Sequence, residues 1–225
     1  MIEDMGVKIA LNGIDNGRLM FDHVRIPRTA MLNAFNDVNE QGKFISDIPK
    51  VSARFFKVAD RLLSGRLCIA AMSLAACKQA IFHAIRYSQQ RLGVGRRGAS
   101  DMPIMAYQLQ QNALLPMLAR TIVMNMGYNE AKDLFADPTG KENTQIRAFC
   151  AAKTLITWHL EEMGTLCRER TGGGSFLSNS AIPSAMISAH SGMTAEGDNR
   201  VLMQKVVKDI LSDTQKGIHD LPEMT

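Results

Sequence analysis

From about Val51 the apolar residues take up a helical period, and the stretch from Val51 to about Gln90 reads as one long helix, or as two broken near Ser64-Gly65. Its second half, Leu67-Cys68-Ile69-Ala70-Ala71-Met72-Ser73-Leu74-Ala75-Ala76-Cys77, is apolar on nearly every side. A helix of that kind belongs in the middle of a bundle. It is too short for a membrane span, and Arg66 and Lys78 bracket it. Other helices must therefore cover it.

The later sequence supplies them. Asp101 and Pro103 open a helix that runs to about Phe135, with a kink expected at Pro116. After the loop Asp137-Pro138-Thr139-Gly140, a third long helix runs from about Glu142 to Arg170, its apolar stripe including Ile146, Phe149, Ala152, Leu155, Ile156, Leu160 and Met163. Thr171-Gly172-Gly173-Gly174-Ser175 ends it, a shorter segment covers about Pro183 to His190, and a last helix covers about Asn199 to Ser212. Few aromatics, abundant Ala and 15 Met favour helix-on-helix packing over a β-sandwich.

Residues 1–50 differ, being punctuated by Gly6, Gly13, Gly17, Pro27, Gly42 and Pro49. Arg18 to Ile26 partly alternates and stops at Pro27, which predicts a strand. One or two strands do not make a stable sheet. The expectation is a mainly α chain, an antiparallel up-and-down bundle over residues 51–213. A β remnant and linker precede it (1–50), and a polar, fraying tail follows (214–225).

Several function classes fall away. The net charge is +4 and basic residues are scattered apart from Arg96-Arg97, so nucleic-acid binding lacks a footprint. No signal peptide or spanning segment is visible. Cys68, Cys77, Cys150 and Cys167 form no CxxC pair and have no His at ligand spacing. They read as reduced, buried, intracellular thiols with no metal. Gly93-Val94-Gly95-Arg96-Arg97-Gly98 spells GxGxxG, but a dinucleotide fingerprint needs a strand before it and a helix directly after. A helix precedes it, leaving a flexible helix-capping loop, or a Gly/Arg loop that touches phosphate through N–H and guanidinium groups.

Thr194-Ala195-Glu196-Gly197-Asp198-Asn199 sets a lone carboxylate beside a glycine at the mouth of the last helix. It reads as a general base next to backbone that a ligand can approach closely, or as a first-turn Glu favoured by the helix dipole. The three Gly-bearing interruptions fall at helix ends, where they could share a ligand.

Three stretches together resemble the acyl-CoA oxidase family. Asn12 to Arg28 is similar to the end of its middle β domain. Cys167 to Phe176 resembles its Cys-Gly-Gly-x-Gly-Tyr segment. Thr194 to Asn199 matches its Glu-Gly-Asp-Asn signature. The resemblance implies FAD-dependent oxidation of an acyl-CoA to a trans-2-enoyl-CoA with O₂ as acceptor, giving H₂O₂, in a peroxisomal homodimer. It implies Glu196 as the base, with its N–H on the thioester oxygen. Arg66 and Gly197 would meet substrate. Arg91, Gly95, Gly172, Gly173 and Asp198 would meet FAD, Arg91 across the dimer interface. The sequence departs from the family where Arg-x-Gln-Phe-Gly reads Arg91-Leu92-Gly93-Val94-Gly95, where Ser175-Phe176 replaces Gly-Tyr, and where Ala195 replaces an aromatic. His190, near the motif, reads as structural. The family's N-terminal domain and most of its middle domain are absent, so a fragment is expected, and the C-terminal residues are not a peroxisomal address. The alternatives are an acyl-CoA dehydrogenase that uses an electron-transfer flavoprotein, and a non-catalytic helical dimerisation module.

Overall fold

The computed structural model describes residues 2–59, 62–137, 139, 142–215 and 217. The chain divides into two compact units, Met1–Leu62 and Leu63–Thr225.

In the first unit β1 (Ile2–Asp4) pairs antiparallel with β2 (Gly17–Leu19), and β3 (Asn36–Val38) with β4 (Phe44–Ser46). Helix α1 (Val51–Ala59) follows. The strand expected over Arg18 to Ile26 is thus confined to its first residues. Its partner offers only three residues, and further along His23 takes a positive φ of 48° that no strand accommodates. Val7, Phe21 and Leu32 stand exposed, since a two-stranded ladder has no packed face to cover them.

The second unit is a helical bundle. Helix α2 (Leu62–Gln90) runs unbroken through Ser64-Gly65. It buries Leu67, Ala70, Leu74, Cys77, Ile81, Ala84 and Ser88, alternating steps of three and four that keep one stripe facing inward. The all-round burial expected of it does not occur: Met72 and Phe82 on the other side are exposed. Cys68 lies on that open side too, so it is exposed rather than buried. Burial pushes Cys77 and Cys167 up to about 12, which keeps them as thiols. By length and hydropathy α2 alone among the described helices would suit a membrane span. Its inner stripe instead packs on other helices of the bundle.

The Gly-rich segment after α2 is an ordered hairpin, not a flexible loop: β5 (Leu92–Val94) pairs with β6 (Ser100–Pro103). The next helix consequently starts later than Asp101. A 3₁₀ turn over Ile104–Ala106 leads into α3 (Gln108–Ala136). Then come α4 (Glu142–Arg170), α5 (Ala181–Thr194) and α6 (Asn199–Gln215). Pro138 and Gly140 of the expected loop, and most of the expected tail, lie outside the described residues; Thr214 belongs to α6.

Side-chain pairs fix the directions. Lys78 bonds Asn125 and Gln110 bonds Ser88, so α2 and α3 are antiparallel. Thr121–His159 and Gln110–Arg170 make α3 and α4 antiparallel. Both α5 and α6 run antiparallel to α4: Gly164 faces Met186, Gly192 faces Thr157, and Asn199 and Asp213 bond Thr157 and Arg147. The bundle is up-down-up through α2, α3 and α4. It closes with two shorter helices sharing one direction. Central to it, α4 packs on α3, α5 and α6 and joins α2 in the largest apolar cluster through Leu160, Met163 and Cys167.

Candidate functional site

The offset between α5 and α6 is the turn Ala195–Asp198. Ala195 N–H still bonds Ser191 O at 3.0 Å, ending α5. Glu196 then takes a left-handed φ of 57°, and Gly197 a φ of 115°. A left-handed non-glycine residue costs roughly 1–2 kcal/mol and persists where its surroundings over-determine it. Asp198 caps α6, its Oδ1 accepting the N–H groups of Arg200 (2.9 Å) and Val201 (3.1 Å). Glu196 is therefore outside the first turn of α6. The dipole-favoured carboxylate is Asp198, not Glu196.

Two cations hold the turn. Arg66 on α2 donates from Nε to Glu196 O at 3.2 Å and from Nη1 to Cys150 Sγ at 3.5 Å. Lys153 on α4 is fully buried. Its Nζ donates to Met193 O (3.1 Å), Gly197 O (2.6 Å) and Asn199 Oδ1 (2.8 Å). Asn199 in turn donates to Thr157 Oγ1 at 2.9 Å. Burial pulls Lys153 down to about 8, while nearby Asp198 opposes the shift. Lys153 escaped the sequence reading. The available signal was a lone cation among Ala152, Leu155 and Ile156 on the apolar stripe of α4.

The Glu196 carboxylate lies against α2 at Gly65, where an added Cβ would sit 2.5 Å from Cδ. Its Oε2 is buried and has no hydrogen-bond partner among the described residues. Neither does the Glu196 N–H bond any backbone or side-chain acceptor there. An unpaired, buried carboxylate oxygen beside a free N–H is suited to taking a proton while the N–H steadies an adjacent oxyanion. Arg66, Glu196, Gly197 and Asp198 thus share one end of the bundle. His190, on α5, is exposed.

The other expected residues share the opposite end. Arg91, exposed, follows α2 directly, and its carbonyl accepts Ile104 N–H at 2.8 Å. Tyr107 donates to Val94 O at 2.8 Å and fastens the hairpin to the start of α3. Gly95 is needed for packing: a Cβ there would lie 1.9 Å from Asp101 Oδ1. Gly172 (φ 63°) is held by Arg168, which donates to its carbonyl at 3.0 Å and lies 5.1 Å over the Phe176 ring. Nothing lies within 4 Å of a Cβ added at Gly173 or Gly174, and one at Gly172 would be 3.6 Å from Tyr87 Oη. From Gly65 to Gln90, α2 rises roughly 37 Å. One small ligand on one chain cannot span that, so the three glycine interruptions do not share a ligand within a protomer.

The bundle and its carboxylate-bearing turn define the class: the helical C-terminal part of an acyl-CoA oxidase fold. Arabidopsis thaliana acyl-CoA oxidase 1 superposes with a TM-score of 0.81 at 30% identity, covering 98% of this chain and 35% of that one. Acyl-CoA oxidase-1 of Caenorhabditis elegans, solved with FAD and ATP, has the same fold (TM-score 0.80, 24% identity, 99% and 34% covered). The family model described as acyl-CoA oxidase, C-alpha1 domain, matches residues 60–211, and the chain belongs to that family. It is 37% identical over 216 residues to peroxisomal acyl-coenzyme A oxidase 3 of Arabidopsis thaliana, covering 94% of this chain and 32% of the relative. The chain spans about a third of the length of such relatives.

Proposed function

We propose that this chain is the C-terminal helical part of a FAD-dependent acyl-CoA oxidase, with residues 1–50 as the tail of the middle β domain. The observation that carries the proposal is the unpaired, buried Glu196 Oε2 on a strained turn, in a chain of this family. Glu196 removes the α proton of the acyl thioester. Its N–H bonds the thioester oxygen as enolate charge develops, a contribution of roughly 10²–10³ in rate. Arg66 holds the Glu196 carbonyl and, with Gly197, borders the substrate.

The residues fit an anionic dinucleotide. At the far rim Arg91 offers an exposed guanidinium, and no side chain crowds the backbone at Gly173 and Gly174. There Arg91, Gly95, Gly172 and Gly173 would hold the cofactor phosphates, and Asp198 would face the cofactor with the Oδ2 left over from capping. Bound FAD would accept the β hydride and deliver the electron pair to O₂, giving H₂O₂. Because Glu196 and Arg91 lie at opposite ends of α2, one protomer's Arg91 serves the cofactor beside its partner's Glu196, which makes the working unit a homodimer. Its similarity to peroxisomal acyl-CoA oxidases supports a peroxisomal location.

Anaerobic bleaching of the flavin-loaded protein by lauroyl-CoA tests the reading. Glu196→Gln is expected to keep bound flavin and to bleach at least about 100-fold more slowly. Bleaching of that variant at the wild-type rate removes Glu196 from the mechanism. H₂O₂ release on re-admitting air identifies O₂ as the acceptor, and its absence assigns the electrons to a protein partner.

A further inference from the structure

We propose that Lys153 is the positioning residue that holds Glu196 in its left-handed conformation, by clamping the backbone on both sides of the turn. The inference rests on the reading of Glu196 as the base. An ammonium has three N–H donors. All three are used here, on acceptors from the end of α5 (Met193 O), the turn itself (Gly197 O) and the start of α6 (Asn199 Oδ1). No carboxylate is among them, so Lys153 is not a salt-bridge partner of Glu196. Arg66 takes the carbonyl just before that of Gly197, Glu196 O. With the carbonyls of Glu196 and Gly197 drawn onto cations, the Glu196 side chain is turned towards Gly65 on α2.

The energetics point the same way. Sequestering an ammonium in a helical core is unfavourable by several kcal/mol unless every proton is bonded. An apolar residue at 153 would fill the stripe of α4 without that penalty. What it could not do is satisfy those three oxygens and keep a non-glycine residue at φ 57°. The charged and titratable groups around the ammonium are Asp198, Arg66, Cys150 and Glu196. Asp198 favours the charge. Cys150 and Glu196 favour it as well, but burial opposes it most, the Arg66 guanidinium adds to that, and together they make the amine easier to deprotonate.

The test uses this chain with ¹⁵N and ¹³C labels. A positive φ brings the amide proton close to its own Hα, so Glu196 should show an intraresidue contact about threefold stronger than a right-handed residue gives. Lys153→Met is expected to reduce it to the ordinary level while the contacts of α2 and α3 stay unchanged. Lys153→Arg, which restores a cation with several donors, is expected to recover it. Persistence of the strong contact in Lys153→Met overturns the proposal, as does failure of Lys153→Arg to restore it. If Lys153→Met does not fold, the wild-type chain decides. The Gly197 carbonyl ¹³C shift should move as the amine loses its proton, with an inflection near pH 8. A Gly197 shift that stays flat while the Lys153 Cε signal itself titrates overturns the proposal. These readouts need no flavin, so they fail separately from the base assignment: wild-type bleaching by Glu196→Gln would remove the base and leave the clamp standing.

Discussion

Gly65 and Glu196 occupy one space: a Cβ at position 65 would lie 2.5 Å from Glu196 Cδ and 2.6 Å from Oε1. The helix tolerates a glycine inside its first turns because the carboxylate needs the room. Gly65→Ala should separate stability from function. Alanine favours a helix interior by roughly 0.5–1 kcal/mol over glycine, and the obstructing atoms are the free end of a side chain that can swing away. The melting temperature is expected to hold or rise slightly. Acyl-CoA-dependent bleaching should fall about 100-fold, since a displacement near 1 Å at a reacting group has that effect. A rate within threefold of wild type would show that the carboxylate does not work from this position.

His159, fully buried on α4, should make the bundle acid-sensitive. Thr121 Oγ1 lies 2.8 Å from Met117 O and 2.9 Å from His159 Nε2. The hydroxyl proton goes to the carbonyl, so Nε2–H donates and Nδ1 is left a buried lone pair without a partner. Burial, then Arg120, push His159 down to about 4. The folded chain resists the proton that the unfolded chain accepts at its ordinary 6.5, so stability is full above pH 6.5 and is lost as pH falls towards 4. The loss should reach roughly 2.5 kcal/mol at pH 4.5. His159→Gln keeps a donor for Thr121, and thermal melts should show a flatter profile between pH 6.5 and 4.5. An unchanged slope would assign the acid sensitivity to other groups.

The helices were legible because their apolar stripes are long: α4 ends where expected, at Arg170, and α6 starts at Asn199. The hairpin after α2 was not. Leu92 to Val94 is too short to show alternation, and its pairing depends on Tyr107 and Asp101 packing against glycines from across the turn. At the site, Glu196 was visible as a motif, but its left-handed backbone was not, because local propensity assigns such a φ to Gly197 instead. Lys153 stayed hidden for a related reason: a single Lys on a helix reads as solvated until the acceptors of two later elements are seen around it. Sequence also could not show that Arg91 and Glu196 stand at opposite ends of one helix, since that follows from how α5 folds back along α4.

Close approach of α5 depends on two glycines. A Cβ at Gly164 would lie 2.8 Å from Met186 Cγ, and one at Gly192 would lie 3.1 Å from Thr157 Cγ2 and 3.3 Å from Ser73 Oγ. Leucine at either position overpacks a dense interface, and a loss of about 1–3 kcal/mol is expected for each. Their effects on the turn should differ. Gly192 is close to Met193, whose carbonyl Lys153 binds, so Gly192→Leu should also disturb the Gly197 amide signal. Gly164→Leu, three turns down α4 from Lys153, should destabilise without moving that signal. Equal disturbance by both would mean that α5 shifts as a rigid rod.

Arg91 and Glu196, separated by roughly 37 Å along α2, make a prediction about assembly. In a two-fold dimer whose cofactor bridges the copies, each site takes Glu196 from one chain and Arg91 from the other. Arg91→Ala and Glu196→Gln should each abolish most bleaching, the first through weak FAD retention and the second with FAD retained. Because Arg91 is exposed, its replacement should leave the unfolding free energy within about 0.5 kcal/mol of wild type. Mixing the two variants and letting subunits exchange should then restore activity. Half of randomly paired dimers are mixed, and each mixed dimer holds one intact site of two, so about a quarter of the wild-type rate is expected. If mixing restores nothing, the cofactor does not bridge Arg91 of one copy and Glu196 of the other.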